Sequence, residues 1–157
     1  MKYLIKNIES FDDDFYGNFY SQLNKYQKGK IDKLKNIKDK KLSMLGMILI
    51  ALELKIPIRE IHYCKKKPYV NFNNIYFSIT HKYPYVGIVV ANFPVGIDLE
   101  ILRDIDYNTF GFLGCNNNLE IFIKWTRKES FFKKGNGKEY KFKTIIINKQ
   151  IIFTICM

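Results

Sequence analysis

Asp98 and Glu100 are separated by one residue in the stretch Val95-Gly96-Ile97-Asp98-Leu99-Glu100. Apolar and polar residues alternate there as they do on a half-buried β-strand. Val95, Ile97 and Leu99 therefore turn toward a core, and Asp98 and Glu100 project together from the other face. Neighbouring carboxylates repel unless something positive stands between them. A third carboxylate, Glu129, lies in Trp125-Thr126-Arg127-Lys128-Glu129-Ser130, and Lys133 follows it by four residues, on the same face of a helix. In a chain with 26 basic and 15 acidic residues, such an acidic focus suggests a divalent cation held by oxygens, and with it phosphate chemistry. The same spacings also suit ordinary exposed strand carboxylates and a surface Glu129–Lys133 salt bridge.

Lys67, held extended by Pro68, can present its ammonium to a phosphate. His81 follows Thr80 at a strand end, where an imidazole can meet an anion or move a proton, or simply face solvent in a turn. The chain contains no Walker-type loop, no dinucleotide-binding glycine pattern and no Ser or Cys motif paired with a histidine. Its cysteines, Cys64, Cys115 and Cys156, are odd in number and far apart, which supports neither a disulfide framework nor a zinc site.

Positioning these groups requires a mixed fold, and the pattern predicts an α+β class. Residues 2–8 read as a strand. Asp12-Asp13-Asp14 marks a helix start carrying Phe15, Phe19 and Leu23 at helical spacing. Residues 39–54 read as the longest helix, amphipathic through Leu42, Leu45, Ile48 and Leu52, with Pro57 ending it. Gly46 inside it suggests either a close approach or a tolerated surface glycine. A strand is expected over Ile61–Cys64 and a basic turn at Lys65-Lys66-Lys67-Pro68. Antiparallel strands are expected over 75–80, 85–91 and 95–100. After an irregular stretch over 101–117, a helix over 119–133 ends at Gly135-Asn136-Gly137, and two strands flank Asn148-Lys149-Gln150.

The 157 residues suffice for one domain or for two small halves sharing a core. No apolar run is long enough to cross a membrane and no signal peptide is evident, which predicts a cytoplasmic protein. The net charge of +11 is concentrated between Lys25 and Lys41, where eight lysines meet two aspartates. That stretch reads as a solvated helical face or as a surface for an acidic partner.

Four elements occur in one order: Lys67-Pro68-Tyr69, Phe77-Ser78-Ile79-Thr80-His81, Gly96-Ile97-Asp98-Leu99-Glu100, and Trp125-Thr126-Arg127-Lys128-Glu129-Ser130-Phe131-Phe132-Lys133. The order resembles the 4′-phosphopantetheinyl transferases of the surfactin-synthetase type. The resemblance implies two similar α+β halves in a pseudo-twofold arrangement, over residues 1–92 and 93–157, with the C-terminal half abridged, and a monomer. It implies transfer of 4′-phosphopantetheine from coenzyme A to a serine of an acidic acyl or peptidyl carrier protein. Asp98, Glu100 and Glu129 would hold Mg²⁺, with Mn²⁺ as an alternative. Lys133 would meet the coenzyme A diphosphate, and Lys67, Thr80 and His81 the adenosine 3′-phosphate. Lys40 and Lys41 are the candidates for the place of a family arginine that also contacts coenzyme A, with Lys41 taken as the contact. Glu129, directly or through water on the metal, would take the serine proton. The chain departs from the family pattern at Lys66, in place of a glycine, at Thr80, in place of a serine, and at Lys82, in place of a second serine. Two other readings remain: a relative that binds coenzyme A without transferring, and a basic nucleic-acid module. The latter lacks a stacking platform among its lysines and leaves the carboxylates unexplained.

Overall fold

Strand β1 (Lys2–Asn7) leads through a 3₁₀ turn to helix α1 (Asp13–Gln22), whose Asp12 cap accepts the Phe15 amide. A second short helix, α2 (Lys25–Asp32), starts from a capping box in which Asn24 and Gln27 exchange side-chain and backbone hydrogen bonds. The long helix α3 (Ile37–Leu54) begins two residues before the expected start. It stops at Lys55, which adopts the left-handed conformation, so Pro57 is not its terminator. Every residue from Met44 to Ala51 is buried, whereas Leu52 is exposed. The expected one-sided stripe is thus an enclosed helix, wrapped by α1, α2 and a sheet. Gly46 is a close approach: a Cβ there would lie 2.6 Å from an Ile79 methyl carbon.

The computed structural model describes residues 1–64, 67–105, 114–135 and 140–157. Within them follow β2 (His62–Cys64), β3 (Lys67–Tyr69), β4 (Tyr76–Lys82), β5 (Tyr85–Ala91) and β6 (Gly96–Ile101). Helix α4 (Asn118–Lys134), β7 (Phe142–Ile147) and β8 (Ile151–Cys156) complete the chain. Lys67-Pro68, expected in a turn, instead forms strand β3, paired antiparallel with β2. Lys65, Lys66, residues 106–113 of the irregular stretch, and Asn136-Gly137 of the expected helix stop lie outside the described residues.

Strands β1, β5 and β4 make one antiparallel sheet with β5 in the centre, and β6, β8 and β7 make another with β8 in the centre. The expected β4–β5–β6 succession breaks at β6, which pairs with β8. The reason is steric: β5 already has β1 and β4 on its two edges. Side chains alternate faces along β5. Val86 and Ile88 join the core beneath α3, while Val89 and Ala91 join a second core with Ile97, Leu99, Phe153 and Ile155 of β6 and β8. The two sheets thus share an apolar interface. Helix α3 covers the outer face of the first sheet, and α4 lies on β6 and β8 of the second.

Candidate active site

Strand β4 runs beside β6, and alternate β4 side chains meet it in turn. Ser78 Oγ accepts the Ile97 N–H at 3.3 Å. Thr80 Oγ1 donates to Asp98 Oδ1 at 3.1 Å. Lys82 Nζ lies 2.9 Å from Glu100 Oε2, and Arg103 Nη1 reaches the same oxygen at 3.4 Å. The period of two that points Asp98 and Glu100 the same way also aligns Thr80 and Lys82 with them.

Helix α4 supplies the opposing wall. Lys133 Nζ donates to Asp98 Oδ1 at 2.7 Å and to Thr80 Oγ1 at 3.2 Å. Lys67 Nζ donates to the Lys133 carbonyl at 2.8 Å, placing a cation at the negative end of the helix. Gly96 permits this proximity, because a Cβ there would collide with the Ser130 carbonyl oxygen and the Lys134 amide nitrogen. A cavity of about 400 Å³ opens between these elements, lined by Lys67, Pro68, Phe77, Ser78, Ile79, Phe132 and Lys133.

Asp98 is 6% exposed, and its Oδ2 has no hydrogen-bond partner among the described residues. Burial lifts its pKa above the ordinary carboxylate value, with Glu100 adding to the rise. The Lys133 charge and the hydrogen bonds from Lys133 and Thr80 oppose it. His81 is held below its ordinary value, first by desolvation and then by the Lys133 ammonium. Asp39, at the start of α3, pulls the other way. Lys133 thus joins Thr80 and Asp98, with Lys67 at its carbonyl, whereas Glu100 borders a separate cavity with Lys82 and Arg103, and His81 lies on the face of β4 opposite Thr80.

Glu129 stands four residues after Trp125, which borders Glu100, and four before Lys133, which binds Asp98. It thus occupies the intervening turn on the same helical face. Among the described residues, however, no three His, Cys, Asp or Glu side chains are drawn together as ligands of one ion. Lys41 turns away from the cleft. It pairs with Asp13 at 2.5 Å and lies over the Tyr16 ring, against α1. It borders a separate hollow, about 530 Å³ in volume, shared with α1 and α2.

Comparison with characterised proteins bears on this cleft. The chain is 29% identical over 172 aligned positions to 4′-phosphopantetheinyl transferase gsp of Aneurinibacillus migulanus, covering 96% of this chain and 72% of that protein. The similarity supports a 4′-phosphopantetheinyl transferase enzyme. No family model matches the chain.

Sequence reasoning missed two features of the site. One is the Lys82–Glu100–Arg103 cluster, whose signal was the lysine itself, two residues beyond Thr80 on an alternating strand. The other is the use made of the basic stretch. Lys28, Lys30, Lys38 and Lys41 lie over the rings of Tyr20, Tyr63, Tyr83 and Tyr16. Cation–π contact, not charge display alone, accounts for part of that lysine cluster. Among the described residues no helix is long and apolar enough to cross a membrane.

Proposed function

We propose that this protein transfers the 4′-phosphopantetheine group of coenzyme A to a serine of an acidic acyl or peptidyl carrier protein, with Mg²⁺ as cofactor. The observation that carries the reading is Asp98: a buried carboxylate with one oxygen on Lys133 and Thr80 and the other without a partner. An orphaned buried oxygen is costly, and its cost is removed by a cation. Asp98 and Glu100, with Glu129 on α4, would supply oxygen ligands of the kind a hard ion takes. When bound, Mg²⁺ would neutralise the diphosphate and hold it in line for displacement.

The protein's own groups do the remaining work. Lys133, next to Asp98, meets the diphosphate as a point charge. Lys67, His81 and Thr80 would hold the 3′-phosphate. Glu129 accepts the serine proton as the hydroxyl oxygen bonds to the β-phosphorus and adenosine 3′,5′-bisphosphate leaves. The common strand order of the two sheets supports a pseudo-twofold pairing of halves 1–92 and 93–157. Among the described residues the C-terminal half carries one covering helix, α4.

The test is to incubate the protein with coenzyme A, Mg²⁺ and an apo carrier protein and to weigh the carrier. Addition of the phosphopantetheine mass is expected, with a loss of about a hundredfold or more in Asp98→Asn and Glu129→Gln. Unmodified carrier beside retained coenzyme A binding would assign a binding role without transfer.

A further inference from the structure

Glu100 is not a free carboxylate. Lys82 and Arg103 both approach its Oε2, and the three side chains border a cavity of about 220 Å³ with Ile121, Phe122 and Trp125. The Glu100 side chain is 14% exposed and that of Lys82 37%. Apolar walls on one side lower the local dielectric, so this ion pair is held more firmly than one in open water. Lys82 comes to Glu100 through strand geometry: it is the third member of the Ser78, Thr80, Lys82 face that lies along β6.

We propose that Lys82, seconded by Arg103, is an internal counter-ion of Glu100 that a divalent cation must displace. The inference rests on the metal-dependent reading above and adds to it a cost specific to this chain. In the free protein the two carboxylates share their charge with tethered cations, Asp98 with Lys133 and Glu100 with Lys82. An ion entering between them gains Glu100 only as the Lys82 ammonium leaves it. Its affinity is thus the difference between metal–carboxylate attraction and loss of an ion pair. The ammonium so released stays on β4 at the cleft, where it adds positive charge for a phosphate ligand. Metal and phosphate ligand should therefore each tighten the other.

Mn²⁺ binding, followed by the loss of its free-ion electron paramagnetic resonance signal, reads this directly at physiological ionic strength and without substrate. Lys82→Met is expected to bind Mn²⁺ about fivefold more tightly than the wild type, a change of ~1 kcal/mol. Lys82→Ser serves as a second variant, with thermal unfolding to establish that both fold. Lys28→Met, which removes the same charge from α2, is expected to leave the affinity unchanged. Equal or weaker Mn²⁺ binding in both Lys82 variants, with the wild type still modifying an apo carrier, overturns the counter-ion role alone. Asp98→Asn binding Mn²⁺ as well as the wild type, together with no carrier modification by the wild type, overturns the site reading and this inference with it.

Discussion

Helices α3 and α4 each cover a three-stranded antiparallel sheet whose last strand lies in the centre, yet they meet those sheets through opposite chemistry. Beneath α3 the contacts are apolar, with Leu45, Ile48 and Ile50 fully buried and Gly46 against Ile79. Beneath α4 the fully buried groups include Thr126, Ser130 and Thr154. The Thr126 and Thr154 hydroxyls share a hydrogen bond of 2.8 Å, and Thr154 meets Thr144 at 3.2 Å. Small hydroxyl side chains let α4 come close to β6, and Gly96 removes the last obstacle. The apolar half supplies rigidity. The hydroxyl half brings a lysine at the end of a helix onto a buried aspartate.

The contrast is sharpest at the two glycines. Gly96→Ala drives a methyl into the backbone of α4, which cannot rotate aside, and should cost about 4 kcal/mol in chemical denaturation. Gly46→Ala meets side chains and not backbone, chiefly the γ2 methyl of the β-branched Ile79, and should cost less, though it still requires Ile79 to shift. Equal losses at the two positions would break the distinction. Ile48→Ala, a cavity in the apolar half, should destabilise by about 3 kcal/mol by the same measurement. Thr126→Val keeps the shape of the polar contact but removes its hydroxyl, and should cost only about 1 kcal/mol, since Thr154 retains Thr144.

The smallest effect concerns His81, where elements of the two halves meet. Its pKa in the fold lies below the ordinary imidazole value, so it contributes stability that is present above pH ~6.5 and is lost as pH falls through the folded value. Lys133→Met removes the second cause of the depression and should raise the His81 pKa in an NMR titration. An unchanged titration would show that Lys133 exerts no field at the ring. His81→Gln should flatten the acid side of the stability profile.

Local spacing made several parts legible. Alternation over β6 placed Asp98 and Glu100 on one face. A four-residue interval placed Glu129 and Lys133 on one helical face, and Asp12 marked the start of α1. Other parts were decided by neighbours that local pattern does not name. The face of α3 was misjudged because apolar residues all round a helix become legible only when its surroundings are known. Lys41 fell on the turn of α3 that faces Asp13, away from the cleft. Strand β6 left its expected sheet because β5 had no free edge.

By itself, then, the sequence determined which side chains share a face, because strand and helix periods are properties of the backbone. It also carried the ordered elements that resemble a phosphopantetheinyl transferase. Only the tertiary structure decided which faces meet: Thr80 and Lys133 with Asp98, and Lys82 with Glu100. Charge attraction acts over a few ångströms, and it is the packing of two sheets and a helix that sets those distances.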